Sequence, residues 1–175
     1  MAVLVEAISV VIRCESVVSK YAGGIDAFLR SLPNDSLCSD GELASLSFMV
    51  PSDVREYVVH LERSGLVFKQ NEVAVDLVVV DQNKGMTSSC DWAAFGTAFW
   101  RDDPKCVIAV CSYHPTRVSQ VVVPAGWEFT TSLTATSRFV DADSLPLGLR
   151  FVRSEAHLDV LYDDELDQEY FVRRS

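Results

Sequence analysis

Valine fills 26 of the 175 positions of this chain, and no other feature narrows its fold as much. A β-branched side chain is stiff at χ1 and packs best on a pleated surface, so wherever the periodicity is ambiguous the reading goes to strand. Strands are therefore expected to outnumber helices. Residues 3–13, a nearly continuous apolar run ending at Arg13, read as one central strand buried on both faces. From Glu15 the spacing changes to Val17, Val18, Tyr21, Ala22, Ile25, Phe28, Leu29 and Leu32, a helical period that ends at Pro33. Gly23-Gly24 inside it would cost about 2 kcal/mol relative to alanine in a helix interior, which predicts two short helices meeting at the pair.

A short strand is expected around Leu37-Cys38, a turn at Asp40-Gly41, and a further strand over 43–50. The clearest helix follows. Pro51-Ser52-Asp53 supplies an N-cap and a negative first turn, Val54, Tyr57, Val58 and Leu61 form one apolar stripe, and Gly65 stops it. Residues 73–80, broken only by Asp76, read as another buried strand. Residues 1–81 thus follow the order β-α-β-β-α-β, as in a ferredoxin-like or glyoxalase-like half. A loop over 81–91 leads into residues 90–175, where a helical turn is expected over 91–96. Strands then follow at 97–101, 105–113, 119–123, 130–139, 149–153, 157–162 and 168–173, a mostly antiparallel half. In the last hairpin Leu158, Val160 and Tyr162 are expected to meet Tyr170 and Val172 across the ladder. The expected class is α+β, a single domain over 1–175 whose two parts could share one continuous sheet.

The segment Leu46–Val54, the helix with Leu61 and Gly65-Leu66, then Val67-Phe68 and the strand ending Val80-Asp81-Gln82-Asn83-Lys84-Gly85 resemble one βαβββ module of the vicinal oxygen chelate, or glyoxalase-like, fold. The metal enzymes of that family place His or Glu ligands on inward strand positions. Here the matching strands carry Val, Leu and Phe, with only Glu6 on the first strand as a conceivable ligand. The resemblance therefore implies a metal-free, ligand-binding relative.

The 25 acidic and 15 basic residues give a formal charge of −10, which argues against nucleic-acid binding, where clustered Lys and Arg must displace counterions. No stretch reaches the roughly 18 apolar residues of a membrane span. Residues 1–13 lack a basic start and are interrupted by Glu6, unlike a signal or transit peptide. Five scattered cysteines, an odd number, read as reduced thiols in a cytoplasm. The charge is also local, since residues 155–169 hold seven acids and no Lys or Arg, whereas residues 1–154 hold 18 acids against 13 bases.

The polar stretch leaving the strand at Asp81 is the first candidate site, because long loops at strand ends are where sites tend to be built. A pocket there would use Asp81, Lys84, Cys90, Asp91, Trp92 and His114, with Lys84 as anion contact, Cys90 as nucleophile, Trp92 as apolar wall and His114 as base. The competing reading is an ordered crossover in which Trp92 and Phe95 plug the core. His60 is expected at the edge of the packed helix face and His157 at a strand start. Cys106 and Cys111 lie five apart in a strand and point to opposite faces, so with His114 they read as core rather than as a zinc site. No glycine-rich phosphate loop is present, and no cofactor or metal is expected.

These observations favour a non-catalytic cytoplasmic interaction protein of the inhibitor, immunity or adaptor type, binding a basic protein partner through Asp163, Asp164, Glu165 and Asp167. Two alternatives stay open. One is a small-molecule-binding or enzymatic domain with its pocket near Asp81–Trp92, and the other a homo-oligomeric structural protein that pairs an exposed sheet edge with a second copy.

Overall fold

The computed structural model describes residues 1–113, 118–132, 137–140, 145–155 and 158–174. Over these described residues it is α+β, with three α-helices and several sheets of mostly antiparallel pairing. The 3–13 run is not one strand. It divides into β1 (Ala2–Val5) and β2 (Ile8–Arg13), which belong to different sheets. Between them Ala7 takes a left-handed φ of 52°, which turns the chain through a corner. Apolar continuity marks burial, and both strands are buried, so the pattern carries no record of where the chain changes sheet.

After β2 come α1 (Cys14–Lys20) and α2 (Gly24–Arg30), separated at the glycine pair as expected, with Gly23 at φ 84°. Then follow β3 (Cys38–Ser39), β4 (Leu43–Phe48) and α3 (Pro51–Arg63). The N-cap of α3 is Val50 in an extended conformation rather than Ser52 or Asp53, and no side chain caps it. Pro51, which has no N–H to satisfy, opens the helix, and Asp53 contributes negative charge to the first turn. The expected 73–80 strand also divides. β5 (Lys69–Gln70) pairs with β6 (Val73–Ala74) as a two-stranded ribbon, and β7 (Leu77–Asp81) pairs at the far end with β8 (Gly85–Met86).

Asp76 explains that division. It is 0 % exposed, and its carboxylate accepts hydrogen bonds from the Ser16 hydroxyl at 2.7 Å, the Lys20 ammonium at 2.7 Å and the Val67 N–H at 2.8 Å. A carboxylate satisfied in this way ties α1 and the chain after α3 to the start of β7.

One sheet has the order β3-β4-β2-β7-β8, with every neighbouring pair antiparallel. Val10, Ile12, Leu46, Phe48, Leu77 and Val79 on one face pack against Val17 of α1, Phe28 of α2 and Val54, Tyr57, Val58 and Leu61 of α3. The alternate residues Val11, Leu43, Val78 and Val80 face a second sheet. That sheet contains β9 (Ala93–Phe99), β10 (Val107–Tyr113) and β11 (Val121–Val122) in the order β11-β1-β10-β9. The Ser45 hydroxyl donates to the Leu4 carbonyl at 2.8 Å and links the two sheets. The helical turn expected over 91–96 is instead the beginning of β9, held in register by β10, with Phe95 opposite Cys111. Long-range pairing overrides a local pattern that is compatible with either form.

A third sheet, order β12-β15-β14-β13, is formed by β12 (Ser137–Val140), β13 (Arg150–Glu155), β14 (Leu158–Asp163) and β15 (Gln168–Arg173). The sheets are therefore several rather than one. Of the strand expected over 130–139, residues 129–131 form a short 3-10 turn and 137–140 a strand, while 133–136 lie outside the described residues. Val160 stands opposite Phe171, and Tyr170 opposite Leu161, so Tyr170 and Val172 lie on the face away from Leu158 and Val160. Leu158, Val160 and Phe171 pack on Val50 and Met49 at the entry to α3.

Candidate functional site

The corner between β1 and β2 is closed by Gln82. Its side-chain carbonyl accepts the Ala7 N–H at 2.6 Å and its backbone N–H donates to the Ala7 carbonyl at 2.9 Å. The same corner turns Glu6 outward, where its carboxylate accepts the indole N–H of Trp127 at 3.0 Å. Trp127 follows a turn closed by its own N–H to the Pro124 carbonyl at 3.1 Å, and its ring meets Trp100 edge-on at 4.9 Å.

Glu6 and Trp127 form a wall shared by two clefts. One, of about 450 Å3, runs along β1 and β10 and is lined by Glu6, Gln82, Asn83, Lys105, Ile108 and Phe129 among others. The second, of about 410 Å3, lies between residues 34–36, the entry to α3 and the 124–127 turn. It shares Asn34, Phe48 and Asp53 with a third cleft of about 410 Å3, walled further by Ser31, Glu56, Tyr57 and His60. Because three residues are common to both, the second and third clefts make one groove. Four carboxylates, Glu6, Asp35, Asp53 and Glu56, line it together with Phe48, Met49, Tyr57 and Trp127, and among the described residues neither cleft has a Lys or Arg in its lining. One margin is held by Arg173 of β15, whose guanidinium lies 2.9 Å from Asp53 and 3.1 Å from Glu56.

The inner end of the groove is a small polar cluster inside an aromatic one. His60 Nε2 lies 3.0 Å from the Tyr21 hydroxyl, which lies 2.7 Å from the Ser31 hydroxyl. The Tyr57 ring packs on Phe48 at 5.2 Å and stacks on His60 at 6.0 Å. Tyr57 is only 4 % exposed, and its hydroxyl, fully buried, has no hydrogen-bond partner among the described residues. Burial pushes this phenol well above its ordinary pKa, with a smaller push from neighbouring Tyr21.

The loop residues singled out in the sequence are spread over separate places. The Asp81 carboxylate accepts the N–H groups of Asn83 at 2.8 Å and Lys84 at 3.0 Å, shaping the β7–β8 turn. Lys84 is exposed on that turn, and Asp91 is exposed beyond it. Cys90 is half-buried, and desolvation raises its thiol pKa. Trp92 is 5 % exposed, donates to the Ala74 carbonyl at 3.1 Å and carries the Arg13 guanidinium over its ring at 5.6 Å. None of Lys84, Cys90, Asp91 and Trp92 lines the three clefts, to which this loop contributes Gln82 and Asn83. His114 and His157 lie outside the described residues.

The acidic hairpin is largely engaged with its own sheet. Asp163 accepts the N–H groups of Glu165 at 2.9 Å and Leu166 at 3.1 Å. Asp164 pairs with Arg150 at 3.1 Å, which holds its carboxyl below the usual range, and Asp167 accepts the Tyr162 hydroxyl. Glu165 is exposed. Nearby, Arg153 bridges Glu155 and Glu169, and Arg174 lies 3.2 Å from Asp159.

Sequence reasoning missed the groove because its walls come from four distant segments. Asp53 stands in the sequence only as a helix-entry charge, Tyr57 as part of an apolar stripe, and Trp127 carries no local signal. Glu6, an acid inside an apolar run, was the one visible mark. No protein-family model, curated protein or solved structure matches the chain.

Proposed function

We propose that this chain is a non-catalytic binding protein that receives a basic segment of a protein partner in the groove between Trp127 and His60. The observation that carries this reading is the lining itself, four carboxylates, two of them met at the margin by Arg173, interleaved with aromatic walls and with no Lys or Arg among the described lining residues. Carboxylates in a concave, partly apolar setting focus negative potential, and aromatic faces attract ammonium and guanidinium groups, so the two act together on Lys and Arg side chains. The order β3-β4-β2-β7, all antiparallel, with α1, α2 and α3 packed on one face, supports a ferredoxin-like layer as the scaffold beneath it. Five free thiols agree with a reducing compartment such as the cytoplasm.

The hairpin acids Asp163, Asp164, Glu165 and Asp167 are the rival surface, but Arg150 already pairs with Asp164, two backbone N–H groups donate to Asp163, and the Tyr162 hydroxyl donates to Asp167. A fluorescein-labelled nonapeptide rich in Lys and Arg, titrated with the protein in low salt, separates the two. The double variant Glu6→Gln, Asp35→Asn is expected to bind at least tenfold more weakly, with a shallower salt dependence. The double variant Asp163→Asn, Glu165→Gln is expected to bind within twofold of the unmodified protein. The opposite ranking would move the surface to the hairpin, and no binding by the unmodified protein would overturn the reading.

A further inference from the structure

The cleft on the other side of the Glu6 and Trp127 wall, about 450 Å3 in volume, differs from the groove in its charge. Its floor is the sheet itself, where Leu4, Val5 and Ile108 contribute aliphatic surface, and its walls include Trp127 and Phe129. Both rings are positioned by contacts within the chain. The Trp127 indole N–H donates to Glu6 at 3.0 Å and its ring meets Trp100 edge-on, while Ser132 closes the short turn at Phe129 by donating its N–H at 3.1 Å and its hydroxyl at 2.6 Å to the Phe129 carbonyl. A preformed, mainly apolar cleft of this volume is the usual setting of a small-molecule site. Lys105, itself exposed, is the one Lys or Arg in the described lining, and its ammonium makes no ion pair among the described residues. Val5 stands opposite Ala109, so the level of Glu6 falls about three residues, roughly 10 Å of chain, from Lys105. That is about the screening length in physiological salt.

Independently of the basic-segment groove, we propose that this cleft binds a small amphipathic monocarboxylate, an apolar body carrying one carboxylate. The body would lie on the aliphatic floor against Trp127 and Phe129, and the carboxylate would meet the Lys105 ammonium. One lysine matches one negative charge. A doubly charged phosphate monoester would carry an unmatched charge into a chain whose formal charge is −10, and a cation would leave Lys105 facing a like charge.

The test keeps one body and changes its head. 4-Phenylbutyrate, 4-phenylbutanol and 4-phenylbutylamine are titrated into the whole chain in about 0.15 M salt, where screening limits unspecific attraction to the acidic surface, and followed by NMR. Saturable shifts are expected at the methyl groups of Val5 and Ile108 and at the Trp127 indole, with the carboxylate binding about fivefold more tightly than the alcohol or the amine, the upper range for an exposed ion pair. Lys105→Gln is expected to bring the carboxylate down to the affinity of the alcohol and to leave the alcohol unchanged. Lys84→Gln, which removes another exposed lysine that does not line the cleft, is expected to change neither. The site is overturned if no shift saturates at those positions, if the alcohol or amine binds as well as the carboxylate, if Lys105→Gln leaves carboxylate binding intact or weakens the alcohol equally, or if Lys84→Gln has the same effect. Lys105 does not line the groove, so any of these results leaves the nonapeptide experiment to be decided by Glu6 and Asp35, and failure of the nonapeptide leaves this site standing.

Discussion

At the scale of the residue, Asp76 is the clearest case of a single side chain organising its surroundings. Burial favours its neutral form, yet hydrogen bonds from Lys20, Ser16 and the Val67 N–H outweigh that and hold its pKa below the ordinary carboxylate value. A folded-state pKa below the unfolded one means that the carboxylate's contribution is fully present above the unfolded value, about 4, and is lost as pH falls through the folded value. Asp76→Asn should therefore be less stable than the unmodified protein at neutral pH, with the difference narrowing as pH falls toward 3, as read from urea unfolding across that range. Asp76→Ala, which strands the Ser16 and Val67 donors, should cost about 2–4 kcal/mol at neutral pH, with Lys20 limiting the loss because it can reach solvent. The sequence displays Asp76 as an acid interrupting an apolar run. It does not display the partners, which lie on α1 and in the chain after α3, so the residue is legible as an anomaly and illegible as a junction.

At the scale of the element, α3 and the α1–α2 break were readable because helical periodicity and glycine act locally. Gly65 does more than end a helix. It has a φ of 108°, and a Cβ there would lie 2.5 Å from the Lys20 carbonyl oxygen, while the neighbouring Ser64 carbonyl accepts the Ala22 N–H at 2.7 Å. The end of α3 thus presses backbone to backbone on the end of α1. Gly65→Ala is expected to lose roughly 2 kcal/mol or more, from the left-handed conformation and the forced separation together. A drop in Tm of about 4–8 °C would correspond to that loss in a chain of this size. The strands were less legible than the helices. Runs 3–13 and 73–80 each look like one element, because hydrophobic continuity reports that a segment is buried and not which sheet buries it. Residues 91–96 read as helical because the register with β10 that makes them a strand is set by residues further along the chain.

At the scale of the whole molecule, apolar clusters of unequal size set the order of opening. The central sheet has apolar clusters on both faces, whereas the β12–β15 sheet rests on a small one of Val50, Leu158, Val160 and Phe171 with Met49 alongside. Its remaining ties to α3 include the partly exposed Arg173 pairs with Asp53 and Glu56, which are worth little in solvent. Amides of β14 and β15 are therefore expected to exchange with deuterium by sub-global opening, well before those of β2, β4 and β7. Equal protection across both sheets, measured by mass spectrometry, would contradict this hierarchy. The charge of the last hairpin was visible in composition, but its partial pairing with Arg150, Arg153 and Arg174 depends on strand pairing and was not. The corner at Ala7 has a consequence for the order in which the chain becomes whole. It sends β1 away from the sheet that β2 enters, and Val3 finds its place opposite Cys111 and beside Val122. A ribosome adding about 5–20 residues per second needs on the order of ten seconds to make that intervening length. For that interval Ala2, Val3, Leu4 and Val5, all buried in the finished protein, have no sheet to join, so an apolar stretch made well before its partners is among the last to be sheltered.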